Sequence, residues 1–206
     1  MKYKLSFILC AFILSSCSST QNNANTRDCV EGINLLPLYG NIEKCEEQKL
    51  ADKKFLIACD SIYPSRKNAA EDYVRIAWDY ADRDDVDNAT KRFNQAYLLD
   101  SLNADVYWGL GIIEGSKKRY IEAEVLFRKS LDLNPKNEKV WFCLVVNDKE
   151  QYGDDENHKI ERDKLLKKIL EMNSNFYPAI QMIQRESHDL MNKHDDGTRV
   201  IITQPQ

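Results

Sequence analysis

Apolar residues recur along the middle of this chain with a long period. Tyr73 and Tyr107, Ala89 and Ala123, and Phe93 and Phe127 form pairs spaced 34 residues apart. Small and aromatic residues matching at that distance mark a repeated pair of helices rather than strands. The local patterns agree. Ser65 suits the N-cap of a helix over 66–82, Arg83-Asp84-Asp85 reads as a turn, and a second helix follows over 86–99. Another helix is expected from Glu138 to about Lys149. A lengthened turn at Tyr152 to Asn157 follows it, then a helix over 160–172 with Leu165, Leu166, Ile169 and Leu170 at core spacing. The last helix is placed over 177–192, with Ile180, Ile183 and Leu190 inward. Ahead of the repeats, Asn41 can cap a helix running to about Ser61, whose apolar face is Phe55, Leu56, Cys59 and Ile62. The segment before it, Ile33 to Gly40, is apolar and broken by Pro37. That predicts an extended strap packed on the helices.

The repeated positions resemble the tetratricopeptide (TPR) pattern. In the first unit Tyr73, Ile76, Ala77, Tyr80, Ala89, Phe93 and Ala96 match, and Ser101 stands where that family often has Pro. In the second, Tyr107, Leu110, Gly111, Ala123, Phe127, Ser130 and Pro135 match, while Glu114 replaces the expected Tyr. A third unit is worn: Trp141 and Leu144 fit, and Leu170-Glu171-Met172-Asn173 parallels Leu131-Asp132-Leu133-Asn134 once about five residues are inserted. The resemblance implies an all-α fold, a short TPR-like solenoid of helical hairpins over 65–176 with two clear repeats and one degenerate. Capping helices at 41–62 and within 177–206 would close its ends.

In the TPR family the first helix of each pair lines a concave face that takes extended peptides or helices. Carried onto this chain, that face holds Glu71, Val74, Trp78 and Asp82 from the first unit, Asp105, Trp108 and Ile112 from the second, and Phe142 from the third. Trp78, Trp108 and Phe142 would make an aromatic row with an acidic lip of Glu71, Asp82 and Asp105. Rigid aromatics of this kind anchor many interfaces. Two outcomes stay open. The row receives a partner (a protein, a peptide or a glycan), or the chain fills it with its own Ile33–Tyr39 strap or its 42–60 helix.

The N-terminus changes where such a scaffold would sit. Lys2 and Lys4 precede a ten-residue apolar run, Leu5 to Leu14, too short to span a bilayer and suited to a signal-peptide core. Leu14-Ser15-Ser16-Cys17 resembles the bacterial lipobox. That resemblance implies removal of residues 1–16 and acylation of Cys17, with several acyl chains and hence stable anchoring. The polar stretch from Ser18 to Thr26 reads as a tether within 17–40. No acidic residue directly follows Cys17. By resemblance this favours the outer membrane, facing the periplasm.

Composition adds mostly exclusions. The chain has 206 residues and a formal charge of −4, with 43% apolar and 30% charged residues and only 7 Gly and 5 Pro. That is globular and helix-favouring. Lys and Arg are scattered, which leaves no basic footprint for nucleic acid. There is no nucleophile elbow, P-loop or metalloprotease motif, and the three histidines are dispersed, so no enzyme and no cofactor are expected. The histidines read as solvated surface. Asp84-Asp85-Val86-Asp87 lacks the Gly and later Glu of a calcium loop and reads as a turn with helix N-terminal charge. Export would place Cys29, Cys45, Cys59 and Cys143 where disulfides persist. Cys45 and Cys59 on one helix would lie about 21 Å apart, beyond disulfide reach. Cys29 can pair with Cys45 or with Cys59, and Cys143 reads as a small buried residue.

Overall fold

The computed structural model describes residues 28–196, with side chains over 28–187. The signal segment, Cys17, the tether and the apolar run Val200–Ile202 lie outside the described residues, as do the side chains of His188, Leu190 and His194. The described chain is all-α. Two short 3-10 turns, Ile33–Leu35 and Pro37–Asn41, lead into α1 (Glu46–Ile62). There follow α2 (Arg66–Ala81), α3 (Val86–Leu99), α4 (Ala104–Ser116), α5 (Tyr120–Leu133), α6 (Glu138–Tyr152), α7 (Glu156–Met172) and α8 (Tyr177–Asp196). No strand occurs among the described residues.

Three tight pairs dominate: α2 with α3, α4 with α5, and α6 with α7, each packing on the next. Short polar side chains start the helices by satisfying free amides. Ser65 Oγ accepts from the amide of Asn68 at 3.2 Å and Asp85 Oδ1 from that of Asn88 at 3.1 Å. Asn103 and Asn137, 34 residues apart, accept from Asp105 and Lys139. Asp85 is thus the N-cap of α3, which places the acidic stretch at a turn and helix start. Within each pair the turn contains one residue with φ 59°, Asp84, Lys118 and Gly153, the last with ψ −127°, outside the left-handed helical region. The Tyr152–Asn157 turn is not lengthened. Residues 153–155 separate α6 from α7, just as 117–119 separate α4 from α5. The third pair takes up its extra residues as helix: α6 has 15 residues against 13 in α4, and α7 has 17 against 14 in α5. Asp155 allows this by accepting from the amides of both Asn157 and His158, so α7 begins four residues before the expected Ile160.

Small residues set how closely the pairs approach. A Cβ added to Gly109 would lie 2.0 Å from the Phe93 ring, and one added to Gly111 would lie 2.6 Å from Phe127. Phe93 and Phe127 are both buried, as are Ala89 and Ala123 one turn before them on the same helices and Ala77 on α2. The core runs on from there as Val140 and Leu144, then Val145, Leu166, Ile169 and Ala179.

The strap before α1 is not extended. Leu38, Tyr39, Gly40 and Asn41 all have positive φ, between 52° and 62°. Left-handed backbone costs about 1–2 kcal/mol per non-glycine residue, and Gly40 alone escapes that penalty. The opposing contribution comes from Asn94, fully buried in the middle of α3. Its Oδ1 accepts from the Leu38 amide at 2.9 Å, and its Nδ2 donates to the carbonyls of Asn34 and Leu36 at 2.9 and 2.8 Å. The buried Tyr39 hydroxyl donates to the Asn94 carbonyl at 3.0 Å. Four bonds at about 1 kcal/mol each are of the same order as the backbone cost. Burial, and then the nearby Asp52 carboxylate, push the Tyr39 phenol above its ordinary range. With Asn41 held left-handed it cannot cap a helix. Cys45 does so instead, its amide bonded to Gln48 Oε1 at 3.2 Å, which shortens the expected 41–62 helix at its start.

Candidate functional site

On α2, α4 and α6 the 34-residue register aligns Glu71 with Asp105 and Lys139, Val74 with Trp108 and Phe142, and Trp78 with Ile112 and Val146. Trp78 therefore stands one turn further along its helix than Trp108 does. The stagger between hairpins brings their rings together, with centroids 4.9 Å apart and planes tilted by 59°. Trp78 also meets Phe93 edge-on at 5.3 Å. Both tryptophans are half-buried. Val74 is only 7% exposed and belongs to the core, so Trp78 occupies the surface place that Val74 was expected to share.

The aromatic row ends at that pair. Trp108 Nε1–H donates to Cys143 Sγ at 3.4 Å, while Phe142 turns to Phe176, at 5.6 Å between centroids. The third hairpin thus gives the face a thiol where a ring was expected. Cys143 is half-buried, and burial pushes its thiol above the ordinary range. Lys139 Nζ stands 5.9 Å from the Trp108 centroid. Ile112 packs beside Trp108 on the cluster of Phe127, Leu131 and Leu144.

Around the pair the charges are graded. Glu71 and Asp82 are exposed. Asp105 is half-buried, and burial holds its carboxyl above the usual carboxylate range, with Lys139 pulling the other way. Arg75, one turn from both Glu71 and Trp78 on the same side of α2, is paired with Asp72 at 2.6 Å and Asp79 at 3.4 Å. Near α2 the lip therefore carries Glu71 and Asp82 with the ion-paired Arg75 between them, and it turns basic at Lys139. Such an arrangement can seat an apolar or aromatic side chain on the Trp78–Trp108 pair with a cation toward Glu71 and Asp82.

Both segments expected to compete for this face have their main contacts elsewhere. The strap lies on α3 through Asn94. α1 packs Phe55, Leu56 and Cys59 over Ala69, Ala70 and Leu99, with Phe55 edge-on to Tyr73 at 5.3 Å.

Cys29 and Cys45 are joined in a disulfide; Cys59 is free and buried, with burial raising its thiol. Sequence reasoning missed one ionic cluster. His158 is half-buried, stacked on Tyr152 at 3.5 Å, and its Nδ1 lies 2.7 Å from Asp148. The other oxygen of Asp148 accepts from Arg162 at 2.8 Å, and Arg162 is 1% exposed. His158 is therefore partly exposed but held by Asp148 and Tyr152 rather than free in solvent. Its spacing from Asp148, ten residues across a turn, was the only available signal. Among the described residues no group of three or more His, Cys, Asp or Glu could hold a metal ion. No helix of those residues is long and apolar enough to cross a membrane. No family model matches the chain, and no curated protein matches it.

Proposed function

We propose that this is a non-enzymatic, lipid-anchored envelope protein whose hairpins are TPR-like repeats presenting the α2–α4–α6 face to a protein partner. The observation that carries the reading is the Trp78–Trp108 pair. Two half-buried indoles from successive first helices meet at 4.9 Å beside exposed Glu71 and Asp82. Indoles left partly open at such a junction are rigid anchors with little conformational entropy to lose on binding. The repeated N-caps at Asn103 and Asn137, the positive-φ turn residue in each hairpin, and the Gly and Ala contacts between helices all support the TPR likeness. Placement rests on the Lys2-Lys4 start, the apolar run and the lipobox-like Leu14–Cys17. On this reading Cys17 is the lipid-bearing residue, and the envelope, facing the periplasm, is the site of action.

Acrylamide quenching tests the face directly. In a Trp141→Phe background only Trp78 and Trp108 emit. Efficient quenching is expected, and full shielding of both in the isolated protein would end the groove reading. Fractionation tests the anchor separately: Cys17→Ala should leave the membrane fraction, and a variant that stays bound would refute lipidation at that residue.

A further inference from the structure

The strap is held at two points of different chemistry. One is Asn94 on α3, whose side chain bonds three backbone groups of residues 34–38. The other is the Cys29–Cys45 disulfide, which bridges 16 residues and encloses both 3-10 turns and the left-handed run Leu38–Asn41. Cys45 is also the N-cap of α1, and Gln48 Nε2 donates to the Val30 carbonyl at 2.8 Å, so the bond ties the strap's start to the helix that follows it. The backbone inside this loop is unfavourable on its own. It persists only where its surroundings hold it. Meanwhile the hairpins pack on one another through α3–α4 and α5–α6 and make no use of the disulfide.

We propose that the Cys29–Cys45 bond is a redox latch on the strap. With the bond closed, the strap lies on α3. With the bond opened by a dithiol, the left-handed run unwinds and the strap leaves Asn94, while α2–α7 stay folded. In that step the dithiol gives two electrons and two protons; the sulfur–sulfur bond becomes two thiols and the dithiol closes to its own cyclic disulfide. Release reaches the tryptophan face. Leu38 packs on the cluster containing Val74, Ala77 and Phe93, and the Phe93 ring carries Trp78. The latch is independent of the partner-binding reading, because it concerns only how the strap sits on α3.

Hydrogen exchange of the full chain, with and without dithiothreitol, tests the latch. Loop closure of this length predicts that reduction speeds exchange in 33–44 about a hundredfold, while 86–152 keeps its protection. A Cys29→Ser/Cys45→Ser variant should match the reduced protein without reductant and show no further change when it is added. Strap exchange that stays within about threefold on reduction overturns the proposal. So does loss of protection throughout 86–152, since the bond would then be a global staple. Indole emission gives a second readout: in Trp108→Phe/Trp141→Phe, reduction should shift the remaining Trp78 band, and an unchanged band removes the link to the face.

Discussion

Gly109→Ala tests the packing that holds the first two hairpins together. A methyl at this position would lie 2.0, 2.3 and 2.5 Å from three atoms of the Phe93 ring, where carbon atoms in contact sit about 3.5–4.0 Å apart. The ring has to retreat by roughly 1.5 Å to restore that spacing. It has little room, because Phe93 is fully buried and Trp78 stands edge-on to it at 5.3 Å. Either α4 lifts from α3 or the Phe93–Trp78 pair is displaced. Overpacking of this kind costs about 1–3 kcal/mol and occasionally more, and helix propensity returns about 1 kcal/mol. Since the overlap is severe and the ring is enclosed, a net loss of about 2 kcal/mol is expected. Gly115→Ala, on the same helix, is the control. Its methyl would meet only Asn147 Oδ1 at 3.7 Å and Ala123 at 3.8 Å, ordinary contacts, so it should be neutral or stabilising by up to about 1 kcal/mol. Urea unfolding of the Cys17→Ala full chain reads both. A double-mutant cycle with Phe93→Leu should show coupling of at least about 1 kcal/mol, because the smaller side chain frees the space the methyl needs. Gly109→Ala as stable as the parent or more so, which would put the overpacking cost at or below the propensity gain of about 1 kcal/mol, would refute the account of how α4 meets α3.

Other perturbations follow from the same contacts. Asn94→Ala removes three hydrogen bonds to the strap and should cost about 2–4 kcal/mol, with exchange rising first in 33–41. Asp148→Ala leaves Arg162 buried without its carboxylate and should cost about 3 kcal/mol, near the lower end for a broken buried pair, whereas Arg162→Met should be far milder; both are read by urea midpoint. Asp105 is held protonated to higher pH than in the unfolded chain, so the folded state binds the extra proton and this site loses stability as pH rises through its window. Asp105→Asn should therefore raise the midpoint at pH 7, and the gain should vanish below the ordinary Asp value of about 3.9.

What the chain disclosed in advance was governed by local rules. The hairpins were legible because Ala, Gly and Phe recur at the helix contacts and because Ser65 caps, and 83–85 turns, within their own neighbourhoods. The strap was not, since its shape is set by Asn94, some 55–60 residues away, and a mid-helix Asn gives no notice of whose backbone it will bond. The extra residues of the third unit were assigned to a turn because polar Glu156 and Asn157 resemble one. Asp155 made them helix. The face was half legible. Register placed Trp78, Trp108 and Phe142 on first helices, but ring direction depends on neighbours that sequence spacing does not name. Phe142 chose Phe176, and Trp108 found Cys143. Val74 fell inward because Phe93, Leu110 and Ala77 surround the first position of the row.

The reading of the face is tested most directly by a photo-crosslinker placed at Glu71 or Lys139 in the lipidated protein within living envelopes. Val125, exposed at 64% on α5, carries the same probe as a control. Discrete adducts to another protein are expected from both face positions, absent from the control and lost with Trp108→Ala at unchanged protein level. Adducts formed equally from Val125, or adducts from Glu71 and Lys139 only within the chain itself, would contradict a partner seated on Trp78 and Trp108.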